Sequence, residues 1–232
     1  MSKLKSIWAT CLVAVLTLTT MQSCLDDDWN KDYPSYFAIG TLKVIEGNDY
    51  YFALDEGSKL YPGDTTFIHN YIIRDGQRAF VYFDKLDEKK EGYGYNAQIK
   101  RIENILTKDV YVMPADKNDS IGNDRINLIE PMWIADNYLN IKYQLYHSNN
   151  DDKKHMLNLV VDEKELGATA HPEYLMMELR HNAFDDSPAM MSSGLVSFKL
   201  DSISDLLQGK KGLLIRYNSI YDGNREVVFK FD

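Results

Sequence analysis

The stretch "YLNIKYQLY", residues 138–146, alternates apolar and polar side chains along its whole length. One phase is apolar or aromatic: Leu139, Ile141, Tyr143 and Leu145. The other phase is polar between its two terminal tyrosines: Asn140, Lys142 and Gln144. Because successive side chains of a strand point to opposite faces, this pattern predicts an antiparallel strand with one buried and one solvated face. Tyr138 and Tyr146, which fall outside the apolar phase, are predicted to be exposed.

The same alternation recurs through the C-terminal half of the chain. Further strands are predicted at residues 155–162, 173–182, 195–201, 212–219 and 225–232. Their inward positions are predicted to include Leu157, Leu159, Leu175, Leu179, Val196, Phe198, Ile215 and Phe229. The polar stretch 148–154 is predicted to be a hairpin loop, and only residues 202–209, between Ser202 and Gly209, have the signals of a helix. So many short alternating strands indicate a two-sheet β-sandwich, which we place at residues 110–232.

The preceding region is also rich in β-forming residues but follows a different pattern. Residues 36–57 contain two strand-like runs separated by Gly47-Asn48-Asp49, a sequence typical of a hairpin turn. Residues 78–88 predict another strand, and residues 95–107 fit either a bent strand or a helix. Several short strands within about 70 residues favour a small barrel of the OB type, at residues 36–109. The predicted fold class is therefore all-β, with an OB-like barrel followed by an antiparallel sandwich.

The N-terminus has the layout of an export signal. Lys3 and Lys5 precede an uncharged run from Ile7 to Thr20, which is shorter than the roughly 20 residues that span a bilayer. Ser23-Cys24 then resembles a loose lipobox, in which the cysteine is acylated and becomes the mature N-terminus. The other cysteine, Cys11, lies within the signal, so Cys24 would have no disulfide partner. We therefore predict a signal peptide at residues 1–23, lipidation of Cys24, and a tether at residues 24–35.

Asp26, Asp27 and Asp28 follow the cysteine almost directly. This acidic run resembles the signal that sends some lipoproteins of Gram-negative bacteria to the cell exterior, and a solvated linker is the alternative. Loss of residues 1–23 removes two lysines and no acids, so the formal charge goes from −9 to −11. An acidic chain without a basic cluster is a poor nucleic-acid binder. We predict that the protein lies at the outer membrane, facing the cell exterior, and that it contacts the membrane through the lipid on Cys24.

A resemblance to a known family rests on a series of motifs. After the lipobox and a tyrosine-rich β region come "WIADNYLNIKY", "KHMLNLVVD", "ELRHN", "GLVSFKL" and "GLLIRYNS" in that order. This series resembles the NigD-like lipoproteins over essentially the whole mature chain. The resemblance implies an N-terminal OB-like domain and a C-terminal β-sandwich. It also implies a link to bacteriocin immunity, from which the family takes its name, although most members have no established activity.

Catalytic motifs are absent from the sequence: we find no nucleophile elbow, zinc helix or phosphate-binding loop. We therefore predict no enzyme activity, no cofactor and no metal site. His147 and His155 flank the loop at 148–154 and could face each other across a strand pair, but two ligands are too few for a metal site, so we predict ordinary histidines at strand ends. Three residues are candidates for recognition: Trp133, Arg180 and His181. Trp133 could stack on a sugar or pack between the sheets, and Arg180 and His181 could form a recognition corner or a buried hydrogen-bond hub.

Three short Asp-Ser/Thr motifs match a pattern used for periplasmic O-glycosylation. The acceptors would be Thr65, Ser120 and Ser202.

These features predict a non-catalytic binding module whose partner is an envelope protein, a bacteriocin or a glycan. The alternatives are a glycan-directed enzyme, which would need two carboxylates about 5–10 Å apart in a cleft, and a structural subunit of a surface complex.

Overall fold

The computed structural model describes residues 33–114, 121–150, 152–163, 166 and 171–231. Within these ranges the protein is almost entirely β, as the sequence predicts. None of the helices in the described ranges has the length and apolar character needed to cross a membrane. The predicted signal peptide, Cys24 and the three aspartates lie outside the described residues.

The N-terminal module is a closed five-stranded barrel with the order β1-β2-β3-β5-β4. Its strands are β1 (Tyr36–Glu46), β2 (Asp49–Leu54), β3 (Lys59–Asp64), β4 (Arg78–Lys85) and β5 (Tyr95–Asn104). The predicted turn joins β1 to β2, and Gly47 adopts a φ of +57°, which glycine tolerates at little cost. The segment that fits either a helix or a strand forms β5, and its register shifts opposite Tyr82 and Phe83. This bulge explains why Ile99 and Ile102 of β5, which are three residues apart, do not follow the strict alternation of a regular strand.

The C-terminal module is a sandwich of two sheets. Its strands are β6 (Leu106–Asp109), β7 (Tyr111–Met113), β8 (Asn127–Ala135), β9 (Tyr138–His147), β10 (Met156–Asp162), β11 (Tyr174–Asn182), β12 (Met190–Lys199), β13 (Gly212–Ser219) and β14 (Gly223–Lys230). One sheet has five strands in the order β14-β13-β11-β10-β7, and the other has four in the order β6-β12-β9-β8.

The predicted strand phase is largely confirmed. Leu139, Ile141 and the other predicted inward positions are buried, except Tyr143 and Phe229, which are half-buried against the same core. Lys142 is exposed, as its phase requires. Tyr146 is exposed, but the prediction for Tyr138 is wrong, because that ring is only 3% exposed. Tyr138 begins β9 where the sandwich meets the barrel, and its hydroxyl donates to the carbonyl of Gly76 at 2.9 Å.

The predicted hairpin at residues 148–154 is wrong. β9 pairs with β8 and β12, whereas β10 pairs with β7 and β11, so the loop crosses from one sheet to the other. An alternating pattern is the same for either connection, because both strands turn their apolar phase to the one core. A loop of this length can span the roughly 10 Å between packed sheets.

The boundary between the modules lies earlier than the one we predict at residue 110. Residues 106–109 form β6, which pairs in parallel with β12 of the sandwich. The predicted helix at residues 202–209 is reduced to a short 3-10 turn (Asp201–Ile203) and one helical turn, α1 (Ser204–Leu207), with no side-chain cap. Gly209 ends the segment with a φ of +71°.

Candidate functional site

The three predicted recognition residues lie in three different environments. Arg180 and His181 are neighbours on β11, so their side chains point to opposite faces of the five-stranded sheet. Arg180 lies on the outer face, and His181 is 2% exposed at the end of the core. Trp133, on β8, faces the barrel. The structure therefore does not assemble them into one recognition corner.

Arg180 lines a groove of about 590 Å³ on the outer face of the five-stranded sheet. Three charged residues cross this face in register, because Glu178 pairs with Arg216 on β13, and Arg216 pairs with Glu226 on β14. The Arg180 guanidinium donates to Glu178 at 2.7 Å, and Arg216 Nε donates to Glu226 at 2.8 Å. The result is a row of alternating charges held by ion pairs.

The segment Gly122–Asp124 forms one wall of the groove, and hydrogen bonds fix this segment to the sheet. Arg180 Nε donates to the carbonyl of Gly122 at 2.7 Å, and the side chain of Asn218 donates to the carbonyl of Asn123 at 2.8 Å. Gly122 has a φ of +76°, and a Cβ there would lie 2.6 Å from Asn182 Cβ. This position therefore requires glycine. The wall is held by these contacts before any partner binds.

The groove is chemically suited to binding polar groups. The side chains of Arg216 and Glu226 are 34% and 48% exposed, and that of Arg225 on the open rim is 51% exposed. Guanidinium groups present several donors in a fixed plane, which suits carboxylates and backbone carbonyls. A row of alternating charge favours a partner that carries the complementary alternation.

His181 belongs to a chain of hydrogen bonds at one end of the sandwich. Its Nδ1 contacts the carbonyl of Arg125 at 3.0 Å, and its Nε2 lies 2.9 Å from Nδ1 of His155. Nε2 of His155 lies 3.0 Å from the carboxylate of Asp186, which also accepts from Ser148. This is the buried hub that the sequence offers as one of two alternatives.

The hub provides a polar partner for each ring nitrogen of the two histidines. A carbonyl can only accept, so His181 donates through Nδ1, and its Nε2 is directed at Nδ1 of His155. Nε2 of His155 is directed at the Asp186 carboxylate. Burial lowers the pKa of His181, and the neighbouring His155 lowers it further. Hydrogen bonds from Ser148 hold the pKa of the Asp186 carboxyl well below its usual value.

His147 joins the same end of the sandwich and does not face His155. Its Nε2 lies 2.7 Å from the hydroxyl of Ser192, and its Nδ1 contacts the carbonyl of Ser148. The two histidines do not form the direct pair that the sequence allows as an alternative, because β9 and β10 belong to different sheets. The described residues contain no cluster of three or more His, Cys, Asp or Glu side chains able to hold a metal ion.

Trp133 lies at a buried polar junction between the barrel and the sandwich. Its indole N–H donates to Asp55 at 2.8 Å, and the same carboxylate accepts two bonds from Arg78, at 2.6 and 2.7 Å. Arg78 is completely buried and also donates to Asn140 of β9 at 3.0 Å. The Trp133 side chain thus contacts the other module instead of standing free for a ligand. The role of Arg78 does not follow from the sequence, since an arginine at the start of a strand gives no sign of burial.

Two of the predicted modification sites lie within the described residues. Thr65 is exposed in the turn after β3, and Ser202 is exposed in the 3-10 turn. Ser120 lies outside the described ranges.

Comparison with known proteins places the chain among relatives of the same architecture. The model of the NigD-like N-terminal OB domain matches residues 39–105, and that of the NigD-like C-terminal beta sandwich domain matches residues 109–231. No curated protein matches the chain.

Several solved structures are similar over most of their length. A protein of Parabacteroides distasonis, provisionally named toxin-related, shares 30% identity with a TM-score of 0.69, covering 85% of this chain and 93% of that one. A Bacteroides vulgatus protein of unknown function shares 26% identity with a TM-score of 0.69, covering 84% and 90%. A NigD-like immunity protein of Bacteroides caccae shares 22% identity and the fold, with a TM-score of 0.62, covering 86% and 99%. With both family models matched in order across the barrel and the sandwich, the chain belongs to the NigD-like family.

Proposed function

We propose that this protein is a lipid-anchored outer-membrane protein that faces the cell exterior and binds a protein partner without catalysing a reaction. The support for the anchor is the basic start, the short apolar run and Cys24. The support for surface exposure is the run of Asp26, Asp27 and Asp28 directly behind the anchor.

The observation that carries the binding function is the preformed groove with its row of Glu178, Arg216 and Glu226. Its wall and its charges are already held by hydrogen bonds, so binding would cost little ordering entropy. A row of charges that alternate in sign favours a polypeptide with the complementary charges over a partner that carries only positive or only negative charge.

The class of partner that we propose is a toxin polypeptide of the bacteriocin type. The resemblance to the NigD-like family implies a link to bacteriocin immunity, and a relative with 30% identity is provisionally named toxin-related. An immunity protein on the cell exterior would meet such a toxin before it reaches its target.

The test is chemical crosslinking on intact cells, followed by purification of the protein and identification of what is attached. Arg225→Glu reverses a charge on the open rim of the groove without removing the Arg216–Glu226 pair. Lys153→Glu makes the same change of charge at an exposed position in the loop between β9 and β10. We expect one polypeptide to be recovered with the wild type and with Lys153→Glu, and at least tenfold less with Arg225→Glu. Equal recovery with both variants would exclude the groove as the binding site.

A further inference from the structure

The outer surface of the barrel carries an exposed aromatic patch, formed by Phe37 on β1 and by Phe80 and Tyr82 on β4. Phe37 stacks on Phe80 with ring centroids 5.7 Å apart and lies 5.2 Å from the ring of Tyr82. Phe37 remains 55% exposed, whereas Phe80 and Tyr82 are half-buried. Contiguous exposed apolar side chains usually mark a surface that contacts another molecule or a membrane.

The patch lies at the end of the barrel that faces away from the sandwich. β1 and β4 run antiparallel, so that Thr41 pairs with Arg78 at one end and Tyr36 with Phe83 at the other. Arg78 marks the junction with the sandwich. The patch extends from Phe80, two residues along β4, to Tyr82 and its partner Phe37, four residues along and about 13 Å away at the usual rise of a strand.

The patch also lies beside the point where the tether joins the barrel. The backbone N–H of Ser35 donates to the carboxylate of Asp84 at 2.7 Å, which fixes the start of the barrel next to β4. Phe37 follows two residues later. From Cys24 to Phe37 there are thirteen residues, so a fully extended chain spans at most about 45 Å. The patch is therefore always held within that distance of the lipid.

A cationic side chain borders the patch. The guanidinium of Arg101 lies 4.2 Å from the ring centroid of Tyr82, and the side chain is 60% exposed. Glu103, the acidic partner of Arg101, accepts a hydrogen bond of 3.3 Å from the hydroxyl of Tyr82. Its backbone pairs with Phe80 and so lies further from the tether than Arg101, which pairs with Tyr82. Aromatic rings with flanking cations are the combination that settles at a membrane–water interface.

We infer that the patch of Phe37, Phe80 and Tyr82 docks on the lipid surface to which the protein is anchored. A short tether raises the effective concentration of the patch at the membrane to about the millimolar range, so an intrinsically weak contact suffices. The docked barrel leaves the sandwich, and with it the groove, pointing away from the membrane. This inference rests on the proposed lipid anchor at Cys24.

The experiment imposes the anchor chemically, so it does not depend on whether cells acylate the protein. The chain from Cys24 to Asp232 has a single cysteine, which can be coupled to a maleimide lipid in vesicles of brominated phosphatidylcholine with some phosphatidylglycerol. Phe37→Trp places an indole in the patch, and Trp29→Phe removes the indole of the tether from every chain compared. Bromine quenches indole fluorescence only at close range.

The matched control is Tyr221→Trp, at a position that is 62% exposed in the turn between β13 and β14. The backbone N–H of Ile126 donates to Asn218, so this turn lies beside the start of β8, whereas the end of β8 contacts the barrel. Position 221 is therefore at the end of the sandwich remote from the barrel. Tyr82→Trp provides a second probe at the patch should Phe37→Trp unfold.

We expect the indole at position 37 or 82 to be quenched and blue-shifted in the coupled protein, and the indole at position 221 to be unaffected. Equal emission at positions 37, 82 and 221 in brominated and ordinary vesicles would overturn the docking inference. Failure of cells to lipidate Cys24 would instead appear in cell fractionation and would leave the result in vesicles unchanged.

Discussion

Arg78 and Asp55 form two parallel hydrogen bonds, at 2.6 and 2.7 Å, at the place where the barrel meets the sandwich. The Arg78 side chain has no exposed surface, and that of Asp55 is 18% exposed. The carboxylate also accepts from Trp133 of the sandwich, so one ion pair connects β4, the turn after β2, and β8. This pair joins the two modules through a buried hydrogen-bond network, in which the loss of one member leaves other members without a hydrogen-bond partner.

Loss of this arginine is expected to be costly. Arg78→Met removes the partner of a largely buried carboxylate and should lower the free energy of unfolding by about 3–5 kcal/mol. Arg101→Met is the matched control, because its pair with Glu103 is exposed, and it should cost less than about 1 kcal/mol. Urea denaturation measures both values. A loss of unfolding free energy in Arg78→Met as small as that in Arg101→Met would show that the junction contributes little to stability.

The strand phase is tested by two neighbouring residues of β9. Ile141 is completely buried, and its truncation to alanine should lower the free energy of unfolding by about 2–5 kcal/mol. Lys142 points to solvent, so Lys142→Ala should change it by no more than about 0.5 kcal/mol. Leu159→Ala, in the opposite sheet, should resemble Ile141→Ala. The assignment of faces fails if the lysine variant is as damaging as the isoleucine variant.

The sequence predicts the burial of single residues better than it predicts the pairing of strands. Alternation alone identifies Ile141 and Leu159 as inward, because burial of one face requires that period. It does not tell whether the loop at 148–154 turns back within a sheet or crosses to the other, since both leave the phase unchanged. Alternation also does not reveal the pairing of β6 with β12. A four-residue strand has too short a pattern to be recognised, and its partner lies some 90 residues later in the chain.

The anchor is tested by removing its attachment point. Cys24→Ala should release the protein from the membrane fraction, because the predicted tether offers no second attachment for the lipid. Fractionation of cells with immunodetection measures the distribution, and Cys11→Ala, within the predicted signal peptide, is the control. Retention of the Cys24 variant in washed membranes contradicts the lipoprotein assignment.

Sorting to the cell exterior is a separate property from anchoring. Replacement of Asp26, Asp27 and Asp28 together by alanine should leave the protein in the membrane and reduce its digestion by protease added to intact cells. The control replaces Asp87, Glu88 and Glu91 of the β4–β5 loop, which removes the same charge from the folded barrel. Unchanged digestion of the first variant would remove the export role of the aspartates.

The candidate site follows from the sequence only in part. Arg180 is found as a candidate because three polar residues end a strand, and its outward position follows from the phase of β11. Its groove partners are not found, because Arg216 and Glu226 come into register with Glu178 only when β11, β13 and β14 lie side by side. The hub around His181 is one of the alternatives that the sequence offers, but its other members are not found for the same reason, since Asp186 and His155 are 31 residues apart.

The hub predicts how stability depends on pH. Burial and the neighbouring His155 lower the pKa of His181, whereas an unfolded chain binds that proton near pH 6.5. As the pH falls below about 6.5, the unfolded state therefore takes up a proton that the native state does not, and stability decreases. One such group lowers the free energy of unfolding by at most about 1.4 kcal/mol per pH unit. Asp186, whose pKa is also lowered, acts in the same direction but only below about pH 4.

His181→Gln isolates this effect. The variant should be less stable than the wild type at pH 7, because the bond to the carbonyl of Arg125 is altered, but its stability should fall less steeply between pH 6.5 and 5. His69→Gln, at an exposed position after β3, should leave the slope unchanged. Urea denaturation at several pH values provides the measurement. A slope that is the same in all three proteins would mean that His181 takes up its proton as readily in the native state as in the unfolded chain, and that the hub does not oppose its charging.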